Sequence, residues 1–497
     1  MTKSTSVLLA LVLLVPAAAP TQTLTKRLDR RLDAPGLDRL LWGVAVTDTN
    51  GKLLYGRNAE RLFVPASNTK LVVSAVATAL LGPDFTVNTS LYGTGPISGG
   101  VLLGDLVLYG RGDPTFSRRC YGPDTSVAGA CDTDPAARLR QLATQLRARG
   151  VTAVAGDLIG DGSWFDEELV HPSWEIGDLA WWYAAPVSGL GFNDNSFDVH
   201  ELPGDSAGAP ARVVFTPDFG VATVENRAET GARGVRRSFD ISRSLDGMRY
   251  LATGVIPADA SERTEYAAVV DPNRFTAMAL RRELLAQGIA VRGTTRATVD
   301  SFAYQHARST APLAEVRSRP FREWLFPILN TSQNWYAEMT LKQLGKRFGN
   351  AGSWREGLRI ERRFLIDSMK IDSTQFAVED GSGLASTNLV TPSTFTKLLR
   401  YMRAHPNFAA FEAGLPVGGK SGTLKSRFVG TPLAGHVHAK TGTISRVNTL
   451  SGFVDRPDGS TLIFSIQGNH QTIGGTRMLA AIDSIVIELG RVKGKGK

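Results

Sequence analysis

The chain has 497 residues, of which 42% are hydrophobic and 21% charged. That composition excludes a largely disordered or fibrous protein, and the length predicts two to four domains. The 56 Lys and Arg residues exceed the 47 Asp and Glu residues by nine, a net charge that would suit any polyanion, including nucleic acid or an anionic wall polymer. Two cysteines exclude a disulfide-dense scaffold and most zinc or iron–sulfur frameworks.

The N-terminus has the pattern of a secretory signal. Lys3 precedes an apolar run of 13 residues, Val7 to Ala19, which is too short for a comfortable membrane span. We therefore predict a signal peptide over residues 1–19 and export to the periplasm or the cell exterior; an N-terminal core helix is the alternative. Because Pro20 follows the A-x-A site ending at Ala19 and fits poorly there, cleavage at a nearby bond or an uncleaved anchor stays open.

A hairpin and a buried helix are predicted next. From Gly43 an alternating strand, a turn at Asn50-Gly51 and a second strand have the hairpin pattern. Residues 68–81 are apolar nearly throughout and end at Gly82-Pro83, which predicts a buried helix.

From Tyr92 to about Val299 the pattern is β-rich. Short strand-like runs alternate with Gly, Pro and Asp, and helices are predicted at 136–149 and 274–287. Export would place Cys120 and Cys131 in an oxidising compartment, where a small disulfide loop is expected; two buried thiols are the alternative.

Helical patterns return after Ala314. We predict helices at 332–348, 356–367 and 392–403, then strands at 447–455 and 461–469, and a last helix at 475–489. Residues 491–497 form a basic tail.

Two serines are candidate nucleophiles. Ser206 lies in a G-x-S-x-G sequence, residues 204–208, but this sequence stands in a Pro/Gly-rich loop without the strand and helix that a nucleophile elbow requires. Ser67 opens the predicted buried helix, with Lys70 three residues later on the same face. A lysine carried into an apolar helix is desolvated, which lowers its pKa and lets it act as a base. An N-cap serine with a snorkelling lysine is the alternative.

Two further motifs follow in order. Ser332-Gln333-Asn334 begins a predicted helix, where Ser or Asn could equally be caps. Lys440-Thr441-Gly442-Thr443 ends a strand-like run just before the two final strands, where a lysine and a turn are the alternative. Lys420-Ser421-Gly422-Thr423 has the same pattern but follows a loop, so we favour Lys440 as the functional lysine.

Together the motifs resemble the S-x-x-K, S-x-N and K-T-G set of penicillin-binding proteins and serine β-lactamases. Ser332 lies 265 positions after Ser67, and the gap holds the whole β-rich stretch. This spacing is similar to that of class C low-molecular-mass penicillin-binding proteins, the D-alanyl-D-alanine carboxypeptidase/endopeptidases of the S13 peptidase type. The agreeing stretches include GRGDPTF at Gly110, GDLIGDGSWF at Gly156, GFNDNSFDV at Gly191 and EDGSGLASTNLVTP at Glu379. Gln333 and Ser386 depart from the family, which more often has Asp and Arg at these positions.

The resemblance implies an α+β fold, an α/β sandwich with inserted β-rich domains. Residues 24–91 and 300–490 would form the catalytic domain, 92–190 and 266–299 an inserted domain II, and 191–265 a nested β-rich domain III.

It also implies a role for each site residue. Ser67 would attack the carbonyl between the two terminal D-alanines, with Lys70 as base, while Ser332 and Lys440 relay the proton to the leaving amine. Asn334 would hold the acyl amide carbonyl.

The remaining roles concern substrate binding. Backbone N–H groups of Ser67 and Thr443 would form the oxyanion hole, and Lys440, Thr441, Gly442 and Thr443 would receive the terminal carboxylate. Asp161 matches a family position that faces the free amine of a diaminopimelate side chain; an exposed loop aspartate is the alternative.

The expected partners are peptidoglycan stem peptides and β-lactams. No cofactor is implied, and no metal either, since His436 and His438 have no evident third ligand. Nucleic acid is not an expected partner, because the protein is predicted to be exported and its basic residues are scattered. Loose association with the wall or membrane surface, the oligomeric state and the balance of carboxypeptidase and endopeptidase activity stay open. A β-lactamase or esterase on the same scaffold and a non-catalytic wall-binding protein are the alternatives; the long insert and the lack of a clear deacylating Glu argue against a β-lactamase.

Overall fold

The computed structural model describes residues 23–491, except positions 245 and 248. The predicted signal peptide and the tail after Arg491 lie outside these residues. Within the described part, no helix is long and apolar enough to cross a membrane.

Helices and strands alternate irregularly, as in an α+β protein. The helices are α1 Leu24–Leu32, α2 Lys70–Leu80, α3 Ala137–Ala148, α4 Pro272–Ala286, α5 Gln305–Arg308, α6 Phe321–Leu325, α7 Asn334–Phe348, α8 Trp354–Asp367, α9 Pro392–Arg403, α10 Phe408–Ala413 and α11 Gly475–Gly490. The strands are β1 Leu41–Asp48, β2 Leu53–Arg57, β3 Asn88–Gly93, β4 Ile97–Ser98, β5 Val101–Leu102, β6 Leu106–Tyr109, β7 Ala153–Val154, β8 Leu158–Asp161, β9 Ser196–Leu202, β10 Arg212–Thr216, β11 Thr223–Asn226, β12 Glu229–Gly231, β13 Asp240–Arg243, β14 Arg249–Thr253, β15 Val255–Pro257, β16 Arg263–Ala268, β17 Ala290–Val291, β18 Thr295–Thr298, β19 Ala314–Arg317, β20 Phe376–Ala377, β21 Leu389–Val390, β22 Val437–Ile444, β23 Val447–Asp455 and β24 Thr461–Asn469.

One five-stranded antiparallel sheet joins the two ends of the described chain. Its order is β2-β1-β24-β23-β22, so the N-terminal hairpin pairs with the last strand. The turn between β1 and β2 contains Gly51 at φ +90°, which suits glycine. Helices α1 and α11 cover one face, and α9 together with the turn before α2 packs on the other. Strand β22 is the edge strand, and residues 416–418 pair with its N-terminal half through bonds to Val437 and Ala439.

Helix α2 is the centre of the helical layer. Every residue from Lys70 to Thr78 is buried, and the helix packs against α7, α8 and α9. Large aromatic side chains complete this core, among them the fully buried rings of Trp324, Trp335 and Trp354. Because other elements surround α2, none of its sides faces solvent, and most of its residues are apolar.

The β-rich stretch forms a separate set of sheets inserted between α2 and α6. Its main sheet has the order β18-β8-β6-β3-β19, so strands on both sides of the insertion belong to it. It therefore reaches from Asn88 to Arg317, past the boundaries 92 and 299 that composition suggested. The reason is that β3 and β19 pair with each other, and pairing partners are not visible in composition.

A nested unit extends from the inserted region. Strands β9, β10 and β16 form its base and bring residues 196 and 268 together. Cys120 and Cys131 are joined by a disulfide that closes a small hairpin of the inserted region.

Caps account for the differences between predicted and observed helix starts. The helix predicted from 274 begins at Pro272, because the Asp271 carboxylate accepts a bond from the N–H of Arg274. The helix predicted from 332 begins at Asn334, because Gln333 is its N-cap. Strands β23 and β24 have the predicted bounds.

Candidate active site

The first motif lies at the junction of a tight turn and the central helix. Ser67 lies in a 3-10 turn, Ala66–Thr69, and Lys70 is the first residue of α2. The turn begins with Ala66 at φ +48°, a backbone conformation that L-residues rarely adopt. Lys70 Nζ lies 3.0 Å from Ser67 Oγ.

The Lys70 amine is buried and held by three hydrogen bonds. Besides Ser67, its Nζ donates to Asn334 Oδ1 at 2.7 Å and to the backbone carbonyl of Ser382 at 2.7 Å. Burial lowers the pKa of Lys70 to about 7, against the opposing charges of Asp380 and Glu338. A substantial neutral fraction exists at neutral pH, so this amine can accept a proton from the neighbouring hydroxyl.

The second motif faces Lys70 from the start of α7. Asn334 bridges two segments, because its Nδ2 also donates to the carbonyl of Tyr183 at 2.7 Å. Ser332 has φ +65°, and its Oγ accepts a hydrogen bond from Lys440 Nζ at 2.8 Å. The two outer residues of the motif thus contact the two motif lysines.

The third motif lies on the edge strand β22. Lys440 is fully buried, and its Nζ also donates to the carbonyl of Thr441 at 2.8 Å. Burial, and then the charge of Lys70, holds the pKa of Lys440 well below its ordinary value. Repulsion between two buried ammonium groups disfavours the state in which Lys70 and Lys440 are both protonated.

Gly442 lets β22 approach the nucleophile turn. A Cβ at this position would lie 2.2 Å from Thr449 Oγ1 and 2.7 Å from the carbonyl oxygen of Pro65. Thr449 Oγ1 itself donates to that carbonyl at 2.8 Å, which fixes the turn to the sheet. The motif glycine is therefore required by space.

The alternative lysine motif lies beside the site but does not bring its lysine into it. Lys420 is exposed, and Ser421 Oγ accepts bonds from Asn330 Nδ2 and from the N–H of Val417. Thr423, however, contacts Thr441 through their hydroxyls at 2.8 Å. The K-S-G-T loop at 420–423 therefore contacts the Lys440 motif through Thr423.

A cavity of about 450 Å³ opens over Ser67. It is lined by Ser67, Glu175, Asp178, Tyr183, Asn334, Gly383, Leu384, Ser386, Thr443, Ile444 and Ser445. Three of these side chains, Glu175, Asp178 and Tyr183, come from the inserted region and are missing from the sequence prediction. They lie in and just before two short 3-10 turns, Ile176–Ala180 and Trp182–Ala184, which carry no motif, so spacing alone offered no signal for them.

Asp161 lies elsewhere. Its side chain is fully buried at the end of β8, where it is paired with Arg308 and accepts a bond from the N–H of Ser163 at 2.9 Å. Burial raises the pKa of this carboxyl. It is not among the residues that line the cavity over Ser67, and neither the expected contact with a substrate amine nor the exposed-loop alternative matches this burial.

The second candidate serine is remote from this chemistry. Ser206 is exposed in the loop between β9 and β10 of the nested unit, with no helix following it. The elbow geometry that its motif requires is absent there.

The chain is similar to proteins of one known family. The model of the D-Ala-D-Ala carboxypeptidase 3 (S13) family matches residues 24–489. The chain is 33% identical to the D-alanyl-D-alanine carboxypeptidase of Actinomadura sp. (strain R39), over 95% of this chain and 85% of that protein. It is 26% identical to carboxypeptidase DacB of Mycolicibacterium smegmatis, over 96% and 87% of the two chains.

Among solved structures, the fold is similar to that of penicillin-binding protein 4 (DacB) of Haemophilus influenzae. The TM-score is 0.78 at 22% identity, covering 93% of this chain and 98% of the other. The same protein has also been solved in complex with a β-lactam. The family match spans the catalytic sandwich together with the inserted region, and the chain belongs to the D-Ala-D-Ala carboxypeptidase 3 (S13) family.

Proposed function

We propose that this protein is a serine D-alanyl-D-alanine carboxypeptidase and endopeptidase that cleaves peptidoglycan stem peptides through an acyl-enzyme and is inhibited by penicillin. The observation that carries the proposal is the buried Lys70 amine, which contacts both Ser67 and Asn334, two residues that line a cavity of about 450 Å³. Family membership and the named activity of the relative from Actinomadura support it.

In the first step Ser67 Oγ attacks the carbonyl carbon between the terminal D-alanines, and its proton passes to neutral Lys70. The 3.0 Å contact between the two groups is the path for this transfer. Charge develops on the carbonyl oxygen, and we assign its stabilisation to the backbone N–H groups of Ser67 and Thr443.

The tetrahedral intermediate then expels D-alanine. Its nitrogen needs a proton, which Ser332 Oγ gives to the leaving amine while taking one from Lys440. The proton that Lys70 received from Ser67 then restores Lys440, so both lysines return to their starting states. Asn334 is assigned to the acyl amide, and Lys440, Thr441, Gly442 and Thr443 to the terminal carboxylate. Water subsequently attacks the ester at Ser67 and regenerates the hydroxyl.

The edge position of β22 supports binding of an extended peptide. The strand pairs with β23 on one side and is the last strand of its sheet on the other. A peptide can therefore add as a further strand beside residues 440–443. Endopeptidase cleavage of a cross-link uses the same kind of bond and the same groups.

We assign recognition of a cationic side chain to Asp178 in place of Asp161. Asp178 lines the cavity, accepts a bond from the Tyr183 hydroxyl at 3.1 Å and has Glu175 beside it. Burial, the largest effect, raises the pKa of Asp178. A carboxylate in this place suits the free amine of a diamino acid in the stem peptide.

Export completes the proposal. The substrate class lies outside the cytoplasm, and the leader at residues 1–19 has the composition of a secretory signal. The periplasm or the cell exterior is the proposed location.

Replacement of Ser67 tests the nucleophile. We expect Ser67→Ala to abolish both covalent labelling by a fluorescent penicillin and release of D-alanine from a pentapeptide, because the attacking oxygen is lost. Ser206→Ala is the matched control and should keep both at wild-type levels. Labelling of folded Ser67→Ala protein, or loss of labelling in Ser206→Ala, would refute the assignment.

The pH dependence of acylation tests the base. Because the proton acceptor is neutral Lys70 with a pKa of about 7, the acylation rate constant should rise with pH through about 7 and fall about tenfold per pH unit below it. Stopped-flow measurement with the labelled penicillin between pH 5 and 9 provides the profile. A profile that is flat between pH 5 and 8 would contradict this role.

The two K-[ST]-G-T motifs can be distinguished directly. We expect Lys440→Ala to lower the rate constant for D-alanine release by about 10²-fold or more, because Ser332 loses its proton donor. Lys420→Ala should stay within about twofold of wild type, as expected for an exposed side chain outside the reaction. The reverse order of effects would show that the wrong motif was chosen.

Amine recognition is tested with a pair of peptides, one with a free side-chain amine and one with that amine acetylated. Asp178→Asn should raise KM about tenfold for the free-amine peptide and leave the acetylated one unchanged, since one charge-assisted contact is lost. Asp161→Asn should leave the KM ratio of the two peptides unaltered. An equal loss on both peptides in Asp178→Asn would argue against the contact.

A further inference from the structure

The middle residue of the second motif points away from the catalytic cavity. Gln333 is fully buried, between Ser332, which contacts Lys440, and Asn334, which contacts Lys70. Its Oε1 caps α7 by accepting a bond from the N–H of Trp335 at 3.1 Å. Its Nε2 donates to Asp194 Oδ2 at 2.9 Å, which joins the motif to the inserted region.

Asp194 is itself fixed from two directions. Arg119, next to the disulfide at Cys120, pairs with the same oxygen that accepts from Gln333. The other oxygen, Oδ1, has no hydrogen-bond partner among the described residues, so both donors converge on Oδ2. The Asp194 side chain is 9% exposed, and an ion pair in such a place is held firmly once formed.

The turn that carries Asp194 has an unusual backbone. Asn193, Asp194 and Asn195 have φ values of +51°, +55° and +51° in succession. Runs of left-handed residues other than glycine persist where the surroundings determine them, and they cluster at functional sites. Nothing in the proposed chemistry at Ser67 uses this turn.

A second contact connects the same turn with the same helix. Asn195 Nδ2 and Trp335 Nε1 both donate to the carbonyl of Pro186, at 2.8 and 3.1 Å. A Cβ on Gly191 would lie 2.3 Å from the Trp335 ring, so the backbone approaches closely here. The left-handed turn is thus seated against the start of α7.

The motif needs such support. Ser332 has φ +65°, and the backbone must hold this conformation to place Ser332 Oγ on Lys440 and Asn334 Oδ1 on Lys70. We propose that Asp194 is a positioning residue, which acts through Gln333 to hold the Ser332–Asn334 turn in its catalytic geometry.

The choice of Gln at position 333 follows from this pairing. An amide can donate to the Asp194 carboxylate while its oxygen caps the helix, whereas an acidic residue would set two carboxylates against each other. Gln333 and Asp194 therefore form a matched pair, and exchanging their donor and acceptor roles should preserve the link.

The test is a reciprocal exchange, and it rests on the proposed acylation of Ser67. With the labelled penicillin, Gln333→Glu should lower the limiting acylation rate constant by about 10²-fold with little change in the binding constant, because misplacement of catalytic groups acts on the chemical step. Asp194→Asn, which keeps an acceptor for Gln333 but loses the pair with Arg119, should lower it by about tenfold. The double variant should recover to within about tenfold of wild type, because the amide introduced at position 194 can donate to the carboxylate introduced at position 333.

A control and a folding measurement separate positioning from stability. Asp157→Asn removes the pair with Arg296 elsewhere in the inserted region and should leave the acylation rate constant unchanged. Thermal unfolding of every variant identifies any that does not fold. If one of the position-194 or position-333 variants does not fold, folded Asp194→Ala protein is measured in its place. Asp194→Ala should also have a lower acylation rate constant with an unchanged binding constant.

The outcomes are distinct. An acylation rate constant equal to that of the wild type in folded Gln333→Glu or Asp194→Ala protein would overturn the inference. So would a double variant whose loss of rate constant equals the product of the losses in the two single variants. Failure of the wild type to acylate would instead overturn the proposed function.

Discussion

The removal of one lysine from water is the constraint on which the site depends. Lys70 is an ordinary cation in solution, and only the apolar surroundings of α2 bring its pKa to about 7. The carboxylates of Asp380 and Glu338 act in the opposite direction and keep the value from falling further. The pKa of the amine therefore lies near neutral pH, because burial lowers it and the two carboxylates raise it. Its three acceptors then fix where the proton can come from.

That arrangement requires three chain segments, far apart in the sequence, to come together with closely defined backbone positions. Ala66 and Ser332 stand in left-handed backbone, and Gly442 has no room for a side chain. Such conformations are kept only when neighbouring structure holds them. The sheet holds the first through Thr449, and the inserted region reaches the second through Asp194 and Tyr183. The insertion is thus part of the scaffold of the site as well as a wall of its cavity.

The three motifs found in the sequence meet in one place in the structure, for a physical reason. The three motifs are local patterns, and each dictates its own short geometry: Ser67 and Lys70 on one helix face, a capped helix start at Asn334, an edge strand at Lys440. The final strands were predicted with the right bounds because both are rich in aliphatic, aromatic and β-branched residues. The Asn50-Gly51 hairpin was predicted from its turn residues.

What sequence could not supply was contact between segments far apart in the chain. Asp161 carries the family-like motif, yet the fold buries it against Arg308, while Asp178, in a loop without a motif, reaches the cavity. A local sequence pattern identifies an aspartate but does not determine whether its side chain lies in the core or in the cavity. The same holds for Asp194 and Gln333, 139 positions apart. The boundaries of the insertion were missed likewise, because β3 and β19 are recognised only when paired.

The two ends of the insertion meet at Val87 and Ser318. The N–H of Ser318 donates to the carbonyl of Val87 at 2.8 Å, and the Ser318 hydroxyl accepts from the N–H of Val87 at 3.0 Å. In evolutionary terms, a gene could gain or lose the whole stretch at this one point, because the chain before Val87 and after Ser318 would keep its path. Such a shortened descendant would retain its sheet and its lysines, but it would lose the Tyr183 carbonyl that binds Asn334. A lineage that discarded the stretch would keep the contact of that asparagine with Lys70 but would lack an acceptor for its Nδ2.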